Sequence, residues 1–403
     1  MNIWLIEPHD PLIFRDGRPF GPTPGIIATS LPFPFPATIA GGVRSHAGKA
    51  TDGVFTVEDD RLKKLKELSL RGPLLVEFSD EPGQEQHVRW LVPAPADAVL
   101  FENKEKQCER VRLSPLSIPT TALTDLEDGL WPVGPFIARF DKPMKTPPGY
   151  WYWEEFLVWL RNDDLSSRIV DPSRLGHSGP QREQRVHVGI DSERRTGRDG
   201  ALFGTSGLEF AIKHNGQMRR LGLAVSVDDT KGFNLLPGLG HLGGEKRIVS
   251  WHQSTQPWPE CPKALIASIL KHKRCRIILL TPTFFAQGYK PEEKFLAKNC
   301  SVHITLRSIA IQRPQIISGW DMANTCCKPT VRLAPAGTVL FLELNKDDKD
   351  EDIEEWIKQV WMQNLCENEQ NENKQMEYDG FGLSVLGTWS SDNGSIATER
   401  KEQ

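Results

Sequence analysis

Arginines and glycines clustered between residues 174 and 198 carry the most suggestive chemistry in the chain. Arg174, Arg182, Arg185, Arg194, Arg195 and Arg198 stand there against three acids, interleaved with Gly176, Gly179, Gly189 and Gly197. A guanidinium donates two parallel hydrogen bonds to one phosphate. Glycine lets backbone N–H groups approach the same anion. Such a segment suits the backbone of single-stranded nucleic acid, gripped in a salt-dependent way. The plain alternative is a solvated loop. His187 lies inside this stretch and His241 in a later basic loop, both suited to assist a phosphate.

Three further sets have similar chemistry. In Phe14-Arg15-Asp16-Gly17-Arg18-Pro19-Phe20, Arg15 and Arg18 flank a turn. Bases could stack on Phe14 or Phe20 while the arginines meet phosphate; alternatively Asp16 pairs with one arginine and both rings are core. Ser30, Thr38 and Arg44 surround an expected helix N-terminus, a natural phosphate site, although Thr38 also reads as a simple N-cap. Gly243-Gly244-Glu245-Lys246-Arg247 is a glycine-rich loop with two cations, Lys246 and Arg247, far from a Walker A pattern. Gly380-Phe381-Gly382 reads in itself as a turn joining a loop to a strand.

Catalytic chemistry is poorly represented. His9-Asp10 has no further ligands at metal-site spacing, so no metal or cofactor is expected. His46, at the end of the first expected helix, is the least poor general acid or base. It would need a near-neutral pKa and a partner base, and the sequence shows neither. The chain is expected not to be an enzyme.

The elements that must position these residues follow from periodicity. Asn2 to Glu7 is an apolar run suited to a buried strand, ended by Pro8. Pro36 opens a helix whose Ile39, Val43 and Ala47 share a face. Gly41 and Gly42 each cost about 1 kcal/mol there relative to Ala, which implies a close backbone approach. Strands are expected at 74–78, 89–91 and 221–227, and a helix at 151–160. Residues 174–199 form a long loop or an extended hairpin, and 229–262 are loop-like. In the second half a helix at 264–270 precedes strands at 277–280, 302–306 and 338–344. A helix at 350–365 carries Ile353, Trp356, Ile357, Val360 and Trp361 on one side, with Asp350, Glu351 and Asp352 favouring its N-terminus. A last strand spans 383–389. Of the 12 tryptophans, Trp251, Trp258 and Trp320 fall in expected loops and could anchor an interface. Strands and helices mix without regular βαβ alternation, which favours an α+β fold.

The totals bound the partners. The chain has 403 residues, enough for two domains. Its formal charge is −4, so any polyanion binding must be local. Seven cysteines without regular spacing suggest reduced thiols in a cytoplasmic protein. The N-terminus does not read as a signal peptide, and no apolar run approaches the roughly 20 residues that span a bilayer, so no membrane partner is expected.

The first 48 residues, IEPHDPLIFRDGRPFG followed by SLPFPFPATIAGGVRS, resemble the third-subunit family of the Cmr complex, the type III-B CRISPR-Cas effector, within the RAMP superfamily. Later segments agree in order: RVHVGIDSERRTGRDGALFGTSGLEF at 185–210, LGGEKR at 242–247, ISGWD at 317–321, LAPAGTVLFLEL at 333–344 and GFGLSVLG at 380–387. The resemblance implies two tandem ferredoxin-like (RRM-type) RAMP domains with long inserted loops, divided as 1–230 and 231–403. It implies a subunit that holds the 5′ tag of the guide RNA (crRNA) and touches the Cas10-type large subunit and a neighbouring backbone RAMP subunit, and it likens Gly380-Phe381-Gly382 to the RAMP glycine-rich loop, an RNA clamp as the alternative to a plain turn. Gly243-Gly244 is followed by Glu245-Lys246, not by the acids of a GGDD polymerase signature, so the chain is not the large subunit. The resemblance leaves one alternative, a metal-independent RAMP endoribonuclease acting on repeat RNA.

Overall fold

The computed structural model describes residues 2–15, 27–28, 30–49, 58–79, 87–103, 105–118, 121, 123–136, 142–161, 167–228, 232–233, 235–321, 326–367 and 374–389. Arg18 and Phe20 lie outside them.

The first apolar run becomes the strand Asn2–Pro8, near the middle of a nine-stranded antiparallel sheet. Successive side chains of a strand point to opposite faces. Ile3 and Leu5 accordingly enter one core with Leu74, Val76 and Ala224. Trp4 and Ile6 enter another with Ile39, Val43 and Leu223. Burial on both faces is why the run is apolar throughout, and each fully buried aliphatic contributes about 1.5–3 kcal/mol. Across this sheet the order is Gly176–His177, Tyr150–Tyr152, Val88–Pro93, Leu70–Phe78, Gln217–Val227, Asn2–Pro8, Ile248–Ser254 and Gly238–His241.

Helix Pro36–Ala47 packs on this sheet through Ile39, Ala40, Val43 and Ala47, with Pro36 in its first turn as expected. A Cβ on Gly42 would come within 2.6 Å of Leu242, so the expected close approach is real there; Gly41 has open space.

Residues 238–241 and 248–254, expected in the second half, are strands of the first sheet. Ile248–Ser254 pairs with Asn2–Pro8 from Ile3↔Ser254 to Pro8↔Val249. The sheet therefore runs past the division at 230/231. Trp251, expected in a loop, is fully buried on this strand. A second missed unit is a small sheet of Ala98–Glu102, Cys108–Pro115, Val133–Pro135 and Arg168–Val170.

The other half is built on a five-stranded antiparallel sheet in the order Ile304–Ala310, Val339–Leu344, Arg274–Leu279, Leu383–Gly387 and Gln363–Asn364. Helix Lys263–His272 precedes it. Helix Asp350–Val360 buries Ile353, Trp356, Ile357 and Val360, the stripe its sequence predicts. It stops five residues early because Trp361 leaves helical geometry and Met362 takes a positive φ of 52°. The Trp356 indole N–H donates to Leu296 O at 2.8 Å, fixing the short helix Glu293–Leu296 beneath it.

The two halves share one continuous apolar core and a buried ionic knot. Arg276, from the second sheet, donates to Asp97 and to Trp159 O. Trp159 Nε1 donates to Asp97 at 3.0 Å, and Arg112 lies 3.8 Å from the same carboxylate. The fold is thus mixed α and β, with antiparallel sheets and few helices.

Candidate nucleic-acid interface

The arginine-rich segment is an extended hairpin, the second of its two sequence-level readings. Gln181–Asp191 and Thr196–Glu209 pair from Gln181↔Glu209 to Asp191↔Thr196. Asp191 builds the tip: its carboxylate accepts the N–H groups of Glu193 and Arg194 at 3.0 and 3.1 Å, and its carbonyl accepts Arg195 N–H at 2.7 Å. This turn leaves Arg194 and Arg195 exposed, with Arg198 exposed on the returning strand. Among the described residues none of these three makes an ion pair. Arg185 is bound to Glu183 at 2.9 Å, and Arg174 lies 3.9 Å from Asp171.

The hairpin has two distinct faces. One places His187 on Phe203, stacked at 5.3 Å, with His187 Nε2 2.8 Å from Thr205 Oγ1. The other exposes Val186, Val188 and Leu202, with Val188 directly opposite Leu202. Half-buried rings and exposed aliphatic groups on a ribbon with an arginine-bearing tip suit a strand whose bases stack while its phosphates meet arginine.

The hairpin root meets a second basic group. Leu12 and Leu208 exchange backbone hydrogen bonds of 2.9 and 2.7 Å, and Gly244 N–H donates to Ile13 O at 2.8 Å. The 243–247 loop therefore lies against Arg15. Glu245 sits between two arginines, 3.7 Å from Arg15 and 3.0 Å from Arg247, while Lys246 is exposed. Three cations against one acid thus gather where the Asn2–Pro8 strand ends. Phe14 beside them is core, so it offers no stacking surface; its partner ring Phe20 lies outside the described residues, as does Arg18.

Other sequence-selected residues serve the architecture. Ser30 is buried, and its hydroxyl accepts Phe14 N–H at 3.0 Å. Thr38 is not the N-cap: Phe35 occupies that position with no side-chain cap. Arg44 is spent on the joint between the halves. It reaches Asp379 at 2.5 Å and donates to Leu65 O and Leu68 O at 3.1 and 3.0 Å. Gly380-Phe381-Gly382 is the turn reading, not an open clamp. Phe381 is 1% exposed. Gly380 and Gly382 have φ of 103° and 80°, and a Cβ on either would strike the carbonyl of Gly72 or Leu365.

His46 has the wrong surroundings for acid–base work. It stacks on Trp251 at 4.9 Å and donates from Nε2 to Leu236 O at 2.8 Å. Among the described residues its remaining nitrogen has no hydrogen-bond partner, and burial holds its pKa below the ordinary value. His9 pairs with Ser250 at 2.6 Å, and Asp10 accepts Ile248 N–H at 3.1 Å; both anchor the strand Ile248–Ser254.

One polar cluster gave no sequence signal, because its members are scattered. Glu77, Tyr152 and His177 are buried together where strand Gly176–His177 leads into the hairpin. Tyr152 Oη donates to Glu77 at 2.7 Å. Gly179 N–H donates to His177 Nδ1 at 3.0 Å, so the neutral ring carries its proton on Nε2, 3.9 Å from Glu77. Burial, with His214 and Arg89 nearby, pushes the His177 pKa down to about 4.

Among the described residues no group of His, Cys, Asp and Glu could hold a metal ion, and no helix is long and apolar enough to cross a membrane.

Comparison with known proteins bears out the resemblance drawn from the segments above. No curated protein matches the chain. Two solved chains from the type III-B Cmr-beta complex bound to cognate target RNA, one also with AMPPnP, are each 15% identical. They have TM-scores of 0.47 with AMPPnP and 0.46 without, each match covering 96% of this chain and 99% of that one. A chain of a Csm3–Csm4 subcomplex of the type III-A CRISPR-Cas interference complex is 9% identical, with a TM-score of 0.32, covering 84% of this chain and 92% of that one. The family model for CRISPR-associated protein (Cas_Cmr3) matches residues 4–389, nearly the whole sequence, and the chain therefore belongs to the CRISPR-associated Cas_Cmr3 family.

Proposed function

We propose that the chain is the guide-RNA-binding structural subunit of a type III-B CRISPR-Cas (Cmr) effector. In this reading it holds the 5′ tag of the crRNA, docks the Cas10-type large subunit, borders a backbone RAMP subunit and performs no catalysis. The observation that supports the RNA contact is the exposed hairpin tip, whose Arg194, Arg195 and Arg198 make no ion pair among the described residues, at the far end of a ribbon whose root meets the Arg15–Lys246–Arg247 group. Unneutralised guanidiniums around a projecting ribbon are what a near-neutral chain needs to bind polyanion locally.

The scaffold is read as two ferredoxin-like units. In the second half, strand 274–279, helix 293–296, strands 304–310 and 339–344, helix 350–360 and strand 383–387 follow the β-α-β-β-α-β order. In the first half the matching strands are 2–8, 70–78, 217–227 and 248–254, with the hairpin and the small sheet inserted between the second and third. The boundary then falls after residue 254. The endoribonuclease alternative draws no support from His46, which is stacked on Trp251 and, among the described residues, has no carboxylate partner.

The test is copurification with the native operon. A wild-type chain should emerge with the large subunit and a guide RNA of uniform 5′ end. Reversing Arg194, Arg195 and Arg198 to Glu should strip the guide from the chain. Undiminished guide loading in that variant would contradict the reading, as would cleavage of repeat RNA in EDTA that His46→Ala abolishes.

A further inference from the structure

At the opposite end of the first sheet lies a second cationic feature. Asn2 pairs with Val227, and Val227 with Leu70, so residue 71 sits at the start of the Asn2–Pro8 strand. Arg15 and the 243–247 loop lie beyond its end, about 20 Å away along seven residues of strand. Here a cavity of about 480 Å³ opens between the two halves of the molecule. That volume falls in the roughly 300–1,000 Å³ range of small-molecule sites.

Every residue lining this cavity carries a polar or charged group. Three are cations, Arg71, Lys298 and Lys358, and one is an acid, Glu377. Arg71 is half-buried and, among the described residues, makes no hydrogen bond; its one charged neighbour is Asp228. Lys298 is held in place by donating to Asn364 O at 3.0 Å, 3.9 Å from Glu377. Lys358 is mostly exposed and lies 3.9 Å from Glu355.

The walls are fixed before any ligand arrives. Asn364, 8% exposed, donates to Leu70 O at 2.6 Å and to Glu377 O at 2.7 Å, so one amide ties the two halves together at the rim. Lys298, already held by Asn364 O, meets an anion at little ordering cost. Arginine and lysine suit phosphate. Tyr378 adds an aromatic ring and Gln363 an amide capable of pairing a base edge.

We propose that this inter-half pocket binds the phosphate of a nucleotide, independently of the hairpin. The phosphate belongs either to a free or terminal mononucleotide or to a passing strand, and both present the same chemistry to Arg71, Lys298 and Lys358. A bound nucleotide would bridge both halves and stiffen the joint.

The test is calorimetric titration of the purified full chain with three probes: inorganic phosphate, adenosine 5′-monophosphate and a 5′-hydroxyl RNA tetranucleotide. The proposal expects saturable binding of at least one nucleotide probe, at least tenfold weaker in Arg71→Met and in the exposed, fold-neutral variant Lys358→Glu. The same binding should persist in the Arg194, Arg195 and Arg198 reversal, which separates this pocket from the hairpin. Preference for the monophosphate marks a free or terminal nucleotide; preference for the tetranucleotide marks a passing strand. No saturable binding up to millimolar probe, or equal binding in wild type and Lys358→Glu, overturns the proposal.

Discussion

The arginines of the hairpin tip and those of the joint between the halves behave oppositely as structure. At the hairpin tip, Arg194, Arg195 and Arg198 face solvent without ion pairs among the described residues. At the joint between the halves, Arg44 and Arg276 are consumed by carboxylates and carbonyls. The lesson is that an arginine's role is set by what neutralises it. A buried guanidinium without its carboxylate is strongly destabilising, whereas an exposed free one costs the fold almost nothing and is available to phosphate.

The sharpest way to break the comparison is at the knot. Asp97→Ala removes the carboxylate to which Arg276 donates and near which Arg112 lies, and frees the Trp159 indole N–H. Urea unfolding should show a loss of about 3–5 kcal/mol. A loss below about 1 kcal/mol would mean that the knot does not hold the halves together.

Next comes Arg44→Met, which keeps the stem but removes three contacts at the joint. Hydrogen bonds involving charged groups contribute about 1.5–3 kcal/mol, so denaturant melts should register a loss of about 2–3 kcal/mol. RNA affinity of the folded fraction should not change.

Acid should act through His177. Its folded pKa of about 4 lies below the ordinary histidine value of 6.5. Between these values the unfolded chain binds the extra proton, so stability rises with pH across that window and is lost as pH falls through it. The chain should be about 2 kcal/mol less stable at pH 5 than at pH 7 from this group alone. His177→Gln should flatten that segment of the stability profile, measured by urea melts at both pH values. An unaltered profile would remove His177 as the cause.

Much of the frame was legible in the sequence, and the reasons are physical. Asn2–Pro8 is buried on both faces, so its apolar run is unbroken. Ile39, Val43 and Ala47 recur at helical spacing because one side of their helix meets the sheet. Strand Ile248–Ser254 was missed because it follows a glycine-rich stretch and only Val249 and Trp251 carry its alternation, too short a signal against that loop-like flank. Site residues were less legible because their partners are distant. Arg44 meets an acid 335 residues later, and nothing near either residue announces the other. Gly380-Phe381-Gly382 has the composition of a phosphate loop, yet its glycines are required by carbonyls of Gly72 and Leu365 pressed against them. The arginine surplus over residues 174–198 marked the basic segment, but it left a loop and a hairpin equally open, because Asp191, Glu193 and Asp199 stand among the arginines of the tip and only the strand pairing decides the conformation.

The smallest effect on stability should accompany the largest effect on RNA. Reversing Arg194, Arg195 and Arg198 to Glu should shift unfolding by no more than about 0.5 kcal/mol, as surface changes do. The decisive measurement is the salt dependence of tag-RNA binding by fluorescence anisotropy for wild type, this reversal and Arg44→Met. Each lost phosphate contact on a single strand lowers the slope of log K against log salt by about 0.7, so the reversal should lower it by about 2. Arg44→Met should leave the slope unchanged while lowering the melting point. An unchanged slope in the hairpin variant, or a lowered slope in Arg44→Met, would contradict the account.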